Sequence, residues 1–145
     1  MHPLKEIVKQ YNHLFDQQMS LFEKYARQNG LQGNSFQLLL WIYYNPQGMT
    51  QTSLCRKTRW SKQLVHATIK SWLQKDYVYL LESPKDKRVK LILLTKKGLK
   101  LSKEIIKPFE KRQTRALSTL SEDERVELLQ LMSRYTSSLT EELEK

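Results

Sequence analysis

Apolar residues in the first thirty positions recur at helical spacing. Leu4, Ile7, Tyr11, Leu14, Leu21 and Tyr25 follow at intervals of three, four and seven, and Val8, Phe15, Met19 and Phe22 widen the stripe. The pattern predicts one helix over 4–29, apolar around so much of its girth that more than one neighbour must cover it. Gln28-Asn29-Gly30 supplies the stop. The stretch NSFQLLLWIYYN starts a second helix with a capping box, Asn34 and Gln37, and holds no charged residue, so it is expected to form the buried centre. Pro46-Gln47-Gly48 then turns the chain.

The next run splits into two short helices. Thr50 caps one that reaches about Thr58, and Ser61 caps another that reaches about Lys75, with only Thr58-Arg59-Trp60 between them. So tight a joint predicts a helix-turn-helix whose second helix reads a partner. Leu64, Val65, Thr68, Ile69, Trp72 and Leu73 fall on one side of that helix and are expected to face the core. Lys62, His66 and Lys70 fall on the other at i, i+4 and i+8, flanked by Gln63 and Ser71.

Two apolar segments follow it. YVYLLE and VKLILL are short, partly β-branched or aromatic, and bounded by polar residues, which predicts two antiparallel strands. Ser83 to Arg88 connects them with Pro84 and four charges, a protruding hairpin loop. Thr95 caps a helix that continues through LSKEIIKPFEKRQTRAL, where Pro108 is expected to kink or divide it. The closing helix opens on a capping box, Ser121 and Glu124, and Leu128, Met132, Tyr135, Leu139 and Leu143 are expected to form its buried stripe. The fold class is mainly α with a small β element (α+β). The expected organisation is one intertwined domain: 31–100 a winged helix-turn-helix, 1–30 and 101–145 a helical dimerisation region.

Charge sharpens this picture. The 145 residues carry a net +10, and its distribution is uneven. Residues 1–30 hold four basic and three acidic groups, and residues 101–145 hold eight and nine. Residues 31–100 hold thirteen and three, which is the whole excess. A polyanion is the partner such a segment fits, nucleic acid above all. No acid interrupts the row on the reader helix before Asp76, whereas a solvated helix ordinarily alternates acids with bases. Ser61, Lys62, Gln63, His66 and Lys70 are therefore the candidate DNA-facing residues of the reader helix. Thr50, Gln51 and Arg59 are candidate contacts to the DNA backbone.

Other chemistry is sparse. His2, His13 and His66 form no ligand-spaced cluster with the single cysteine, Cys55, so no metal site and no cofactor are expected. Cys55 falls where the two helices of the motif touch and reads first as packing; with Arg56 and Lys57 beside it, a redox role is the minority reading. No serine-histidine-acid set or glycine-rich phosphate loop occurs, and a non-enzymatic protein is expected. The lone cysteine and the lack of a long uncharged apolar run or a secretory signal predict a cytoplasmic protein with no membrane partner. Phe15, Trp41 and Tyr44, with Phe22 and Tyr43, are candidates to line a small-molecule effector pocket, although aromatic residues at helical spacing are usually core.

The stretches MTQTSL, SKQLVHATIKSWLQKDYVY and DKRVKLILLTKKG together resemble the MarR family of bacterial transcription regulators. The last carries the family's D-x-R…L-T-x-x-G signature as Asp86, Arg88, Leu94, Thr95 and Gly98, and LSEDERVELLQLM resembles its closing helix. The resemblance covers essentially the whole chain. It implies a homodimeric repressor that binds a pseudo-palindromic double-stranded operator. It further implies that Arg88 enters a minor groove, that Asp86 braces the wing, and that Lys85, Lys87 and Lys90 add phosphate contacts. Two positions depart from the pattern. Arg59-Trp60 stands where the turn often carries glycine, and Asp76-Tyr77 stands where a glycine commonly follows the reader helix. The alternative function class is a winged-helix interaction module that meets RNA or an acidic protein.

Overall fold

The computed structural model describes residues 3–32, 35–58 and 60–145. Its elements run α1 (Leu4–Gln28), α2 (Ser35–Tyr43), α3 (Gln51–Thr58), α4 (Lys62–Gln74), β1 (Val78–Glu82), β2 (Lys90–Leu94), α5 (Lys96–Leu117) and α6 (Glu122–Leu143). They form two compact units, Met1–Ile105 and Ile106–Lys145.

The core of the first unit gathers around α2, because that helix has no charge to keep in water. Phe36, Leu38, Leu39 and Ile42 are buried, and with them Leu54 of α3, Val65, Ile69 and Trp72 of α4, Val78 of β1 and Ile92 of β2. The ring of Phe36 lies 5.9 Å from that of Phe22 and 5.5 Å from that of Tyr25. The Tyr25 hydroxyl donates to the Ile105 carbonyl at 2.6 Å, so the end of α1 is tied to α5 where the ring is buried.

Local signals set most element ends. Thr50 Oγ1 accepts from the Ser53 amide at 3.0 Å, and Ser61 Oγ accepts from the Leu64 amide at 3.1 Å, so each helix of the pair begins on its expected cap. At the end of α1, Gly30 takes φ 80° and the Leu31 amide reaches back to the Ala26 carbonyl at 2.9 Å. The expected cap Asn34 lies outside the described residues. β1 and β2 pair antiparallel from Val78↔Leu94 to Glu82↔Lys90, and Met49 bridges Ile92 on the other side of β2. In the second unit, α6 opens on the Ser121–Glu124 capping box, whose two bonds measure 2.8 and 3.1 Å.

The reader helix ends in the same closed geometry as α1, but with aspartate where glycine is favoured. The Asp76 amide donates to the Leu73 carbonyl at 3.1 Å and the Tyr77 amide to the Trp72 carbonyl at 2.8 Å. This places Asp76 at φ 60°, the left-handed region that costs a side-chain-bearing residue about 1–2 kcal/mol. Its carboxylate also sits at the negative end of the helix dipole. Asp76→Gly is therefore expected to raise the stability by about 1 kcal/mol, read as a higher urea midpoint at unchanged slope. A lower midpoint would show that the aspartate side chain contributes a bond that outweighs its backbone strain.

One expectation is narrowed, one is corrected and one is not met within a single chain. Pro108 does not divide its helix: α5 runs unbroken over Lys96–Leu117. Pro108 and Glu104 are both exposed, so water can meet the Glu104 carbonyl that lacks an amide donor. Leu73 does not join the core but is 38% exposed, since it lies in the last turn of α4 at the edge of the buried face. The expected buried stripe of α6 is bare within one chain, with Leu128 37%, Leu139 40% and Leu143 76% exposed.

Candidate nucleic-acid interface

Helix α4 sorts its residues by face as the core demands. Val65, Thr68, Ile69 and Trp72 point inward and are buried, which turns Ser61, Lys62, Gln63, His66 and Lys70 to solvent. No acid lies within the helix to pair with them. Ser71, the expected flank of the row, is half-buried. Of the candidate backbone contacts, Thr50 and Gln51 are half-buried at the start of α3, and the Thr50 oxygen is engaged as the helix cap. Arg59 lies outside the described residues.

The wing is the hairpin β1–β2. At its tip the Ser83 amide donates to the Val89 carbonyl at 2.9 Å, and the Val89 amide to the Asp86 carbonyl at 3.0 Å, which closes the loop. Asp86 then grips Arg88 three times. Its Oδ1 accepts from the Arg88 amide at 3.0 Å and from Nε at 3.1 Å, and its Oδ2 accepts from Nη2 at 3.1 Å. This two-pronged fit to a planar guanidinium holds Arg88 pointing outward while its side chain stays 91% exposed. The guanidinium first, and the Arg88 amide second, hold the Asp86 carboxyl below its ordinary value. A depressed folded-state pKa means that the clamp's contribution is present above the usual carboxylate range. It is lost only as pH falls through the lowered value, so the clamp is intact at neutral pH.

Lys85 and Lys87 are exposed at the same tip, and neither is in an ion pair among the described residues. Lys90 is different: its Nζ lies 3.1 Å from Glu82 Oε1, its cross-strand partner in the register. The sequence reading placed Lys90 with the phosphate-binding lysines and missed this pair. Counting outward from the hairpin loop would have found it. It also missed Lys57, whose Nζ sits over the Trp41 ring at 5.4 Å.

The reader helix and the wing belong to the same compact unit, and their junction with α5 is tightly bonded. Thr95 Oγ1 donates to the Asp76 carbonyl at 2.6 Å and accepts from the Gly98 amide at 2.9 Å, while Lys97 Nζ donates to the Lys75 carbonyl at 3.1 Å.

Within one chain, neither of the two cavities described below is lined by the candidate pocket aromatics. Phe15 and Tyr44 are exposed and Trp41 is half-buried. Two cavities lie among other described residues. One of about 400 Å³ lies between the loop after α1 and the back of α4, with Leu31, Ser35, Trp72 and Leu101 in its wall. Another of about 300 Å³ is lined by Met19, Gln37, Thr58 and Trp60. Cys55 is a free thiol, half-buried. Among the described residues no group of three or more histidine, cysteine or acidic side chains could hold a metal ion. No described helix is long and apolar enough to cross a membrane.

A short helix pair with a solvent-facing second helix, followed by a two-stranded hairpin, defines a winged helix-turn-helix protein. Residues 29–89, from the end of α1 to the wing tip, match the MarR family model. The chain is similar to that family in sequence over this segment. It is 27% identical over 126 residues to the HTH-type transcriptional regulator BilQ of Clostridium symbiosum, covering 86% of each chain. Among solved structures it superposes on S. aureus MepR in its DNA-binding conformation with a TM-score of 0.75 at 22% identity, over 95% of this chain and 99% of that one. The S. aureus MepR–DNA complex gives 0.71 at 22% identity, over 88% and 97%.

Proposed function

We propose that the protein is a dimeric, sequence-specific, double-stranded DNA-binding transcriptional regulator acting as a cytoplasmic, non-enzymatic repressor. The observation that carries this reading is the exposed face of α4, where Lys62, Gln63, His66 and Lys70 stand without an acid among them. In this reading α4 enters the major groove: Lys62 and Lys70 donate to guanine edges or phosphates and Gln63 pairs with adenine. The wing lays Arg88 in a minor groove, with Lys85 and Lys87 on phosphates. The match of residues 29–89 to the MarR family model, and the likeness in fold to S. aureus MepR bound to DNA, support it.

The dimer rests on apolar surface. Leu4, Ile7, Val8, Leu14 and Leu21 of α1 are exposed in one chain, and so are Val126, Leu129, Leu131 and Met132 of α6. Rows of this length on two helices are too extensive to remain in water, and a second copy covers them by two-fold symmetry. Residues 1–30 and 101–145 then form the dimerisation region and residues 31–100 the reading head. Two reader helices about 34 Å apart suit a pseudo-palindrome.

Selection of duplexes from a random pool, with light scattering of the free protein, tests the reading. The expected result is a two-chain particle and a selected motif with two inverted halves. Gln63→Ala should lose preference at one base pair per half-site, about 1–3 kcal/mol each. No enriched motif, or equal affinity for structured RNA, would overturn the operator-binding function. A stable folded monomer at micromolar concentration would overturn the dimer.

A further inference from the structure

The wing is apolar on both of its faces. A hairpin that lays one face on a core ordinarily alternates apolar residues with polar ones. Here Val78 and Ile92 are buried on the inner face, yet Tyr79, Leu80 and Leu81 of β1 are all exposed. Tyr79 and Leu81 share the outer face with their cross-strand partners Leu93 and Leu91, both half-buried. No charged side chain lies in these two rows.

The wing is also open along one edge. Its sheet has two strands, and Met49 takes the far side of β2, so β1 is the free edge. The Ser83 amide donates to the Val89 carbonyl and the Thr95 amide to the Tyr77 carbonyl, which fixes the parity of the ladder. Residues 77, 79, 81 and 83 turn their backbone groups to β2, so Leu80 and Glu82 turn theirs outward. Among the described residues no hydrogen bond from outside the hairpin reaches either of those amides. Edges are ordinarily protected by a lysine, a proline or a bulge. β1 contains no lysine and no proline, and its one charge, Glu82, is paired with Lys90 at 3.1 Å.

Charge brackets this edge. Lys75 and Lys97 stand at its start, where Lys97 Nζ donates to the Lys75 carbonyl and lies 5.3 Å from the centre of the Tyr77 ring. Lys85 and Lys87 are exposed beyond its end. Asp76 offsets only one of the first pair and Asp86 is taken up by Arg88, so both ends stay positive around a neutral middle. Two copies of the edge would set lysine against lysine whether they ran parallel or antiparallel. An acidic occupant fits both ends. We propose that β1 receives an extended segment of a protein partner, apolar at alternate positions in its centre and acidic at both ends. Its backbone pairs with Leu80 and Glu82, its apolar side chains lie beside Tyr79 and Leu81, and its acids meet the lysines. The consequence for DNA rests on the function proposed above: the segment takes Lys85 and Lys87 from the phosphates and so opposes operator binding.

Amide resonances of the whole protein test this without DNA. The probe is a synthetic peptide with alternating valine and threonine at its centre and two glutamates at each end. It should shift the Leu80 and Glu82 amides downfield and saturably and slow their hydrogen exchange. The Tyr79 and Leu81 amides, already bonded to β2, should move little. Exchanging the glutamates for lysines should weaken the peptide about tenfold, and so should a proline in place of its central valine. Leu80→Pro removes an outward donor and no bond to β2, and should weaken the glutamate peptide about tenfold. Should that variant fail to fold, the amide shifts of the parent and the comparison of peptides still decide the matter. Leu80 and Glu82 amides that stay put would overturn the proposal, as would equal affinity for the glutamate and lysine peptides. Shifts of the same amides with protein concentration alone would give the edge to a second copy, and would overturn it too. A duplex titration with and without the peptide then reads the antagonism. Peptide binding and duplex selection are measured separately, so the failure of one is distinguishable from the failure of the other.

Discussion

Gly98→Ala is expected to destabilise the protein by about 3 kcal/mol or more, although alanine is the better helix former by about 1 kcal/mol. The sign follows from what a methyl group would meet. Gly98 lies buried in the first turn of α5, and a Cβ built on it falls onto the Tyr77 carbonyl oxygen. That oxygen accepts from the Thr95 amide at 3.0 Å, so it cannot move aside alone. Backbone cannot escape by changing rotamer, and the strain would spread to the Thr95 bond with Asp76 and to the Lys97 bond with Lys75. Denaturant unfolding should show the loss as a lower midpoint. DNA affinity should fall with it, because the same junction seats the reader helix and the wing on α5. A midpoint equal to or above the parent's would mean that α5 does not press on Tyr77.

How far the sequence reveals these features depends on the range of the forces that set them. Caps act within four residues, so Thr50, Ser61, Thr95 and Ser121 mark four helix starts that the structure repeats. Short runs of β-branched and aromatic residues bounded by polar ones mark the hairpin for the same reason. The faces of α4 are readable too, because one uncharged helix, α2, must be covered by something apolar. What covers a second apolar face is not readable. The stripe from Leu128 to Leu143 looks the same in sequence whether it packs within its own chain or against another, and in one chain it is bare. At the interface, residue types identify the cations but not their partners. Lys90 and Lys87 read alike, yet register pairs the first with Glu82 and leaves the second in solvent. Asp76 illustrates the converse. Its departure from the glycine pattern is visible in sequence, but only the backbone shows that the strained conformation is kept. The buried indole nitrogen of Trp60, without an acceptor among the described residues, has no sequence signal at all, since it depends on which atoms fail to arrive.

Arg88→Ala is expected to weaken operator binding by about ten- to a hundredfold, while the fold and the dimer persist. The side chain is 91% exposed and its ion pair is on the surface, where such pairs contribute little to folding. The loss in binding has two parts. One is the guanidinium itself, which a narrow minor groove attracts and a lysine replaces only partly, being more strongly hydrated and lacking the planar fork. The other comes from Asp86. With Arg88 gone its carboxylate is left unneutralised at the tip of the wing, facing the polyanion. Asp86→Ala with Arg88→Ala should therefore bind more tightly than Arg88→Ala alone, a non-additivity that a double-mutant cycle detects directly. Asp86→Ala alone should lose less than Arg88→Ala, since the cation remains and only its aim is loosened. Lys87→Ala provides the contrast. Its charge is exposed and has no ion-pair partner among the described residues, so it should weaken all duplexes alike and flatten the log–log salt slope by about 0.9. Four binding curves at two salt concentrations separate these effects. If Arg88→Ala binds as the parent does, the wing stays off the DNA. If the double variant is no better than Arg88→Ala, Asp86 faces no phosphate.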